Sequence, residues 1–276
     1  MVDCHMHMIL DGEYWRSAID RHREKADIPW IRKVLQTYQE QGFTYLRDGG
    51  DRWGASAAAR ELAGEYGITY RTPLAPLCKA GHYGSFIGKT YENMLEYTAL
   101  VRQAKADGAD FIKIMISGLM DFDRFGVLTE EGLPEDEIQE LIHIAHEEGM
   151  AVMAHANGGR TVEAAAEAGV DSVEHGAYLD DEALCAMEEN GTVWVPTLST
   201  IGNLRGAGRF SETAVAAILE SALENVAAFK GLIAPGSDAG AWNVPHGCKT
   251  EEKLLAQAGI TPEQLAEGIS VIQKKF

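Results

Sequence analysis

Basic residues are scarce in this chain of 276 residues: 24 Lys plus Arg stand against 42 Asp plus Glu, a net charge of -18 at pH 7. A surface of that sign repels a phosphate backbone and an anionic bilayer, which excludes nucleic acid and anionic membrane surfaces as partners. No apolar run approaches the roughly 20 residues of a membrane span, and no basic-then-apolar leader opens the chain, so a cytoplasmic location is expected. Cysteine is sparse and scattered. Cys4, Cys78, Cys185 and Cys248 contain no C-x-x-C pair, which excludes a disulfide framework or a cysteine zinc cage and leaves free buried thiols as the expectation. Low-complexity linkers, internal repeats and composition breaks are also missing, so residues 1–276 are expected to form one domain.

What is present is alternation. Short β-branched or apolar runs at residues 2–8, 43–47, 69–74, 111–116, 151–155, 172–175, 193–197 and 232–236 read as strands, each followed by a segment with helical spacing. In "LPEDEIQELIHIAHEEGM", Ile138, Leu141, Ile142 and Ala145 share one face and Gly149 ends the helix. "TVEAAAEAGV" repeats the form, with Thr161 as expected N-cap and Gly169 as the stop. Regular strand–helix alternation implies parallel strands with right-handed crossovers. Eight strands favour a closed (β/α)8 TIM-type barrel, whose usual length is about 250 residues. No G-x-G-x-x-G turn follows a strand convincingly, which weakens a dinucleotide-binding sheet. The Gly-rich piece "IGNLRGAGRF" reads as a loop after the seventh strand, placed to act as a lid.

In such a barrel the chemistry sits at the C-terminal ends of the strands. There the chain places His5 and His7 ("VDCHMHM"), Lys113 ("DFIKIMISG"), His155 ("AVMAHANG"), His175 ("SVEHG") and Asp238 ("APGSDAG"). Taken singly, each has an ordinary reading as a core histidine, a turn aspartate or a snorkelling lysine. Taken together, imidazoles and a carboxylate from different strands are the ligand set of zinc and similar divalent ions. Alternation with Phe111 and Met115 turns Lys113 inward, where an unpaired ammonium is strongly unfavourable and something must neutralise it. Along the first strand, alternation groups Asp3 with His5 and His7 on the inner face, where Asp3 can orient an imidazole from behind. Cys4, Met6 and Met8 then face outward. His22, His143 and His146 read as solvated. His82 and Tyr83 in "KAGHYGSFIG", Arg205 and Arg209 in the Gly-rich loop, and His246 in "NVPHG" stand on the rim. There they either contact substrate, an arginine clamping a carboxylate, or are ordinary loop residues.

These residues resemble the amidohydrolase superfamily, metal-dependent hydrolases on a (β/α)8 barrel, and the resemblance runs through nearly the whole chain. Its pattern is His-x-His after strand one, Lys or Glu on strand four, His after strands five and six, and Asp after strand eight. "GADFIKIMISG", "AGVDSVEHGAYLDDE", "VPTLS" and "GSDAG" followed by "PHG" are similar to the imidazolonepropionase and Xaa-Pro dipeptidase (prolidase-like) branch. The resemblance implies two divalent ions, Zn2+ being the usual choice. His5, His7 and Asp238 would hold one and His155 and His175 the other, with Lys113, carboxylated by carbon dioxide, bridging them. It implies hydrolysis of an amide or peptide bond in a small molecule, dipeptide or acyl-amino acid through a bridging hydroxide. Asp238 would shuttle the proton, and Tyr178 in "HGAY" would either bond the developing oxyanion or pack as a loop aromatic.

Departures from the pattern qualify this. Relatives carry a β-sandwich built from segments flanking the barrel, whereas this sequence starts in strand one and stops at "EGISVIQKKF". A minimal barrel without the sandwich is therefore expected, its floor to be covered by other means, such as a second subunit of a homo-oligomer. "HANG" replaces the frequent "HAHG", so Asn157 stands where substrate preference is set. Alternatives stay open. A mononuclear deaminase of the superfamily normally has Glu where this chain has Gly158; a lactone or ester hydrolase would use the same metal chemistry; a barrel that keeps its ligands without turnover would be non-catalytic.

Overall fold

The computed structural model describes residues 1–276. The elements run β1 (Val2–Met6), α1 (Trp15–His22), α2 (Ile28–Glu40), β2 (Tyr45–Asp48), α3 (Ala55–Ala63), β3 (Thr69–Arg71), β4 (Leu77–Lys79), β5 (Lys89–Tyr91), α4 (Met94–Ala106), β6 (Ile112–Met115), α5 (Glu135–Glu147), β7 (Val152–Ala156), α6 (Gly159–Glu167), β8 (Ser172–His175), α7 (Asp181–Asn190), β9 (Val193–Val195), α8 (Leu198–Gly202), α9 (Glu212–Ala228), α10 (Thr250–Gln257) and α11 (Pro262–Lys275). Every paired strand is parallel, in the orders β1-β2-β3 and β5-β4-β6-β7-β8-β9. This is a TIM-barrel-like α/β arrangement, with helices covering the outer side of the strands. No helix is long and apolar enough to cross a membrane.

The expected eighth strand, residues 232–236, forms no ladder, because Pro235 has no N–H to donate. The segment nonetheless lies between two strands. Trp194 N–H donates to Leu232 O (2.8 Å), Ala234 N–H to Trp194 O (3.0 Å), Cys4 N–H to Pro235 O (2.8 Å), Asp238 N–H to His5 O (2.7 Å) and His7 N–H to Ala239 O (2.8 Å). At the other seam Asp110 N–H donates to Thr72 O (3.0 Å), just beyond β3 and just before β6. Two short strands, β4 and β5, were not expected. They follow a break at Pro73 and Pro76, where the third expected run stops early.

The helices obey their sequence. Ile31, Val34, Leu35 and Tyr38 of α2, and Ile138, Leu141, Ile142 and Ala145 of α5, are the buried faces. Asp27 caps α2 through Trp30 N–H, and Thr261 with Gln264 forms a capping box on α11. Thr161 is not the cap of α6: that helix begins two residues earlier, behind Gly158, and Thr161 is buried in its first turn. His22 is not solvated either. It is fully buried, and its Nδ1 accepts the Asp27 N–H at 3.1 Å. His143 and His146 are both exposed as expected, His146 also bonding Asp171 at 2.9 Å. Cys4 and Cys78 are buried, but Cys185 is exposed and Cys248 half-buried.

Strand β1 departs from simple alternation. Its register against β2 shifts between Asp3 and Met6, the signature of a β-bulge, which sends neighbouring side chains where a flat strand would not. Cys4 consequently packs inside, with Tyr45, Phe111, Met153, Val193, Val195 and Ala234, while Met6 faces the outer helices as expected. The same inner cluster includes Ile272 and Phe276 of the C-terminal segment. The Phe276 ring meets Phe111 edge-on at 5.1 Å and lies 4.4 Å from the Arg47 guanidinium. The floor beneath the strands is thus covered from within the chain by α11 and Phe276. Truncation of this 7% exposed ring, Phe276→Ala, is expected to lower stability by about 3 kcal/mol, measured by denaturant melts against wild type.

Candidate metal centre

The inner faces of the strands carry their polar residues to one end of the molecule. Lys113 on β6 is 1% exposed, and its Nζ has no hydrogen-bond partner. Around it stand His5, His7, His155 and His175. The His5 ring lies 5.2 Å from His7 and 5.0 Å from His175, and His175 lies 4.5 Å from His155, centroid to centroid. Asp238 Oδ1 sits 3.1 Å from His7 Nε2 and 3.5 Å from His5 Nε2, and the two Nε2 atoms are 3.3 Å apart. Ligand atoms of His5, His7 and Asp238 all fall within 4.8 Å of one another.

Backbone strain contributes to this convergence. His175 (φ 72), Tyr178 (φ 57), Thr197 (φ 49) and Asp238 (φ 54) all adopt the left-handed region, unusual for residues with a side chain. His175 follows inward-facing Glu174 and would point outward in a regular strand; its turned backbone and a 2.7 Å bond from Nδ1 to Thr197 Oγ1 bring it in. Two glycines make room. A Cβ on Gly49 would collide with the His7 imidazole, and one on Gly236 would collide with Val195 and press on His5.

Electrostatically the cluster is under tension. Burial, reinforced by the Lys113 charge, holds His5 well below the usual imidazole range and lowers His155 to about 3. His175 is also far below its ordinary value, through burial and the neighbouring His155 and His5. Burial brings Lys113 down to about 8. Neutral imidazoles and an amine that gives up its proton readily are the states that metal ligation and carboxylation require.

Asp3 does not orient an imidazole. Its carboxylate accepts the backbone N–H of His5 (3.2 Å), both N–H (2.9 Å) and Oγ–H (2.5 Å) of Ser237, and the Tyr38 hydroxyl (3.4 Å), so it ties β1 to the Asp238 loop and to α2. The carboxylate behind His5 is Glu174, 2.6 Å from His5 Nδ1. Sequence reading passed over Glu174 and Arg47, although both stand at inward positions of strands, the same signal that singled out Lys113. Asn157 braces the loops: its Nδ2–H donates to Gly118 O, its Oδ1 accepts Ala177 N–H, and its own N–H donates to Ser117 Oγ.

The expected rim residues divide. The Tyr83 ring covers His155 at 4.7 Å, and its N–H donates to Glu130. His82 is partly exposed, 3.6 Å from Glu130. Tyr178 packs edge-on against Phe125 at 5.5 Å, and its buried hydroxyl lacks a partner. Arg209 lies over Trp242, which follows Asp238 in the chain, with 4.2 Å between guanidinium and ring centroid. Arg205 is not with the cluster: it lines a surface groove of about 480 Å3 with Glu220 and Glu224 of α9 and Gln257 of α10. His246 is also turned away, held by Leu10 O (2.9 Å) and Tyr38 (3.4 Å), with burial lowering its pKa to about 4.

Comparison with known proteins agrees with the TIM-barrel-like fold. Residues 1–267 match the amidohydrolase family, and the chain belongs to that family. Ochratoxinase of Aspergillus niger is 26% identical over 304 residues, covering 94% of this chain; the chain spans 61% of that relative's length. Among solved structures, a Xaa-Pro dipeptidase with bound methionine superposes with TM-score 0.77 at 23% identity, covering 100% of this chain and 75% of the other. The Aspergillus niger ochratoxinase structure gives TM-score 0.73 at 20% identity, covering 99% and 69%.

Behind Thr197, Glu251 accepts Ser199 N–H (2.7 Å) and Oγ–H (2.9 Å) and pins the turn into α8. Burial raises its pKa from 4.5 to about 8 against the pull of those bonds. Between these values the folded chain holds a proton that the unfolded chain has released, so stability falls as pH rises, by about 1.4 kcal/mol per pH unit at most. Chemical denaturation of both proteins across that window is expected to give a slope more negative in wild type than in Glu251→Gln by up to this amount, the contributions of the histidines being common to both.

Proposed function

We propose that this chain is a binuclear metal-dependent hydrolase that cleaves the amide or peptide bond of a small molecule, dipeptide or acyl-amino acid. The observation that carries the reading is Lys113: a fully buried amine without a partner, set among four imidazoles and Asp238. Lys113 Nζ and Asp238 Oδ1 are both buried without a hydrogen-bond partner, a deficit that cationic ligation and carboxylation of the lysine would remove together. His5, His7 and Asp238 would hold one ion, His155 and His175 the other, and carboxylated Lys113 would bridge them. The donor set suits Zn2+. Such ions, when bound, polarise a carbonyl and acidify water.

The remaining chemistry belongs to the chain. Asp238, fixed by its N–H bond to His5 O, takes the proton of the attacking water at its carboxylate and returns it to the leaving nitrogen. The Tyr178 hydroxyl donates to the carbonyl oxygen as negative charge grows there. Tyr83, over His155, walls the site against water. His82 and Arg209 face substrate at the rim, Arg209 held flat by Trp242 so that its guanidinium can meet a carboxylate. The scaffold is a closed (β/α)8 barrel in which residues 232–239 act as the eighth strand. The relative called Xaa-Pro dipeptidase supports a dipeptide as the substrate type.

A panel of dipeptides and N-acyl amino acids, followed by amine release, tests this. Activity is expected to vanish on dialysis against a chelator and return with Zn2+. Asp238→Asn should lower kcat about 100- to 10,000-fold, and Tyr178→Phe about 100-fold. Lys113→Ala should abolish turnover and reduce bound metal measured by elemental analysis. Full turnover in the chelator-treated protein or in Lys113→Ala would overturn the proposal.

A further inference from the structure

The most completely buried ion pair in the molecule lies behind the site. Arg47 and Glu174 both have side chains 0% exposed, with Nη2 2.7 Å from Oε1. Glu174 Oε1 also accepts the Ser172 Oγ–H at 2.6 Å, and Oε2 meets His5 Nδ1 at 2.6 Å. Arg47 makes two further bonds, from Nε to Cys4 O (2.7 Å) and from Nη1 to Ser172 Oγ (2.9 Å). Phe276 and Phe111 lie against its guanidinium and keep water away. Burying such a pair brings little net stability by itself, because desolvation offsets the attraction. A purpose beyond stability has to be sought in what the pair holds.

We infer that Glu174, clamped by Arg47 and Ser172, is a positioning residue that fixes His5 in one tautomer and aims its Nε2 at the metal shared with His7 and Asp238. Arg47 and Ser172 both donate to Oε1 and pair the carboxylate with a fixed cation, which leaves Oε2 to accept from His5 Nδ1–H. The Nε2 lone pair is then free and faces His7 Nε2 and Asp238 Oδ1. Carboxylate–imidazole pairs of this kind also raise ligand basicity. The clamp spans β1, β2 and β8, so a single network sets the ring orientation relative to ligands from other strands.

This inference rests on the proposed metal centre, and the experiment separates the two. Zinc affinity of the full chain is measured by competition with a chromophoric chelator, and the histidine tautomers of the metal-free protein by 15N NMR, with His5→Gln to assign the signal. Glu174→Gln is expected to weaken zinc binding about 10- to 100-fold and to release His5 from the Nδ1–H tautomer. Ser172→Ala, which leaves the charge pair intact, should weaken it by less, with a partial shift of the same signal. Unchanged affinity and unchanged tautomer in folded Glu174→Gln would overturn the inference. Should that variant not fold, absence of both changes in Ser172→Ala would do so. Wild-type protein that takes up no zinc would sink the metal centre alone, and the tautomer signal would still decide the role of Glu174.

Discussion

A primary amine held inside a protein with no hydrogen-bond partner is the constraint around which this interior is organised. Lys113 cannot snorkel from the middle of β6, and its charge bears on His5, His155 and His175 alike. Burial is the first cause that holds these three imidazoles below their ordinary range, and the Lys113 charge adds to it. Asp238 stands beside the Nε2 atoms of His5 and His7, and Glu174 is engaged by Arg47 and His5 rather than by the lysine. Proteins do not ordinarily tolerate such an arrangement unless a ligand or a chemical modification completes it. The proposed bridging role of Lys113 would do both at once.

Parallel strands bring these groups together, because their inward residues converge at one end. Convergence is refined by local irregularity. The bulge in β1 lets Cys4 contribute to the apolar floor while His5 and His7 reach the site, and frees Asp3 to tie β1 to Ser237 and Tyr38. Below the polar layer lies an apolar one, closed by Phe276. The Arg47 guanidinium joins the two, with aromatic rings on one side and Glu174 on the other.

Much of this was legible in the sequence, for identifiable reasons. Most strands and the amphipathic helices follow from hydrophobic period, and the cluster of His5, His7, Lys113, His155, His175 and Asp238 follows from polar residues that interrupt strands at their ends. Asp3 and Cys4 were misplaced because alternation assumes an unbulged strand. Residues 232–236 lost their ladder to Pro235 yet kept their place between β9 and β1. Glu174 and Arg47 escaped notice because a pair of opposite charges in separate strands looks unremarkable until the fold puts them in contact. Arg205 and His246 lie on loops, whose direction depends on packing that no local pattern encodes.

The positive φ angles at His175, Tyr178, Thr197 and Asp238 have an evolutionary side. Each holds an L-residue in a conformation that glycine would adopt without penalty, so a drift toward glycine at any of them would relax the backbone and remove a side chain of the cluster or its support in one step. Relief of strain and retention of the proposed function are opposed at the same peptide units. A lineage under pressure for heat tolerance would therefore have to find its gains elsewhere, in the helical shell and the floor, leaving the rim of the strands as the least improvable part of the molecule.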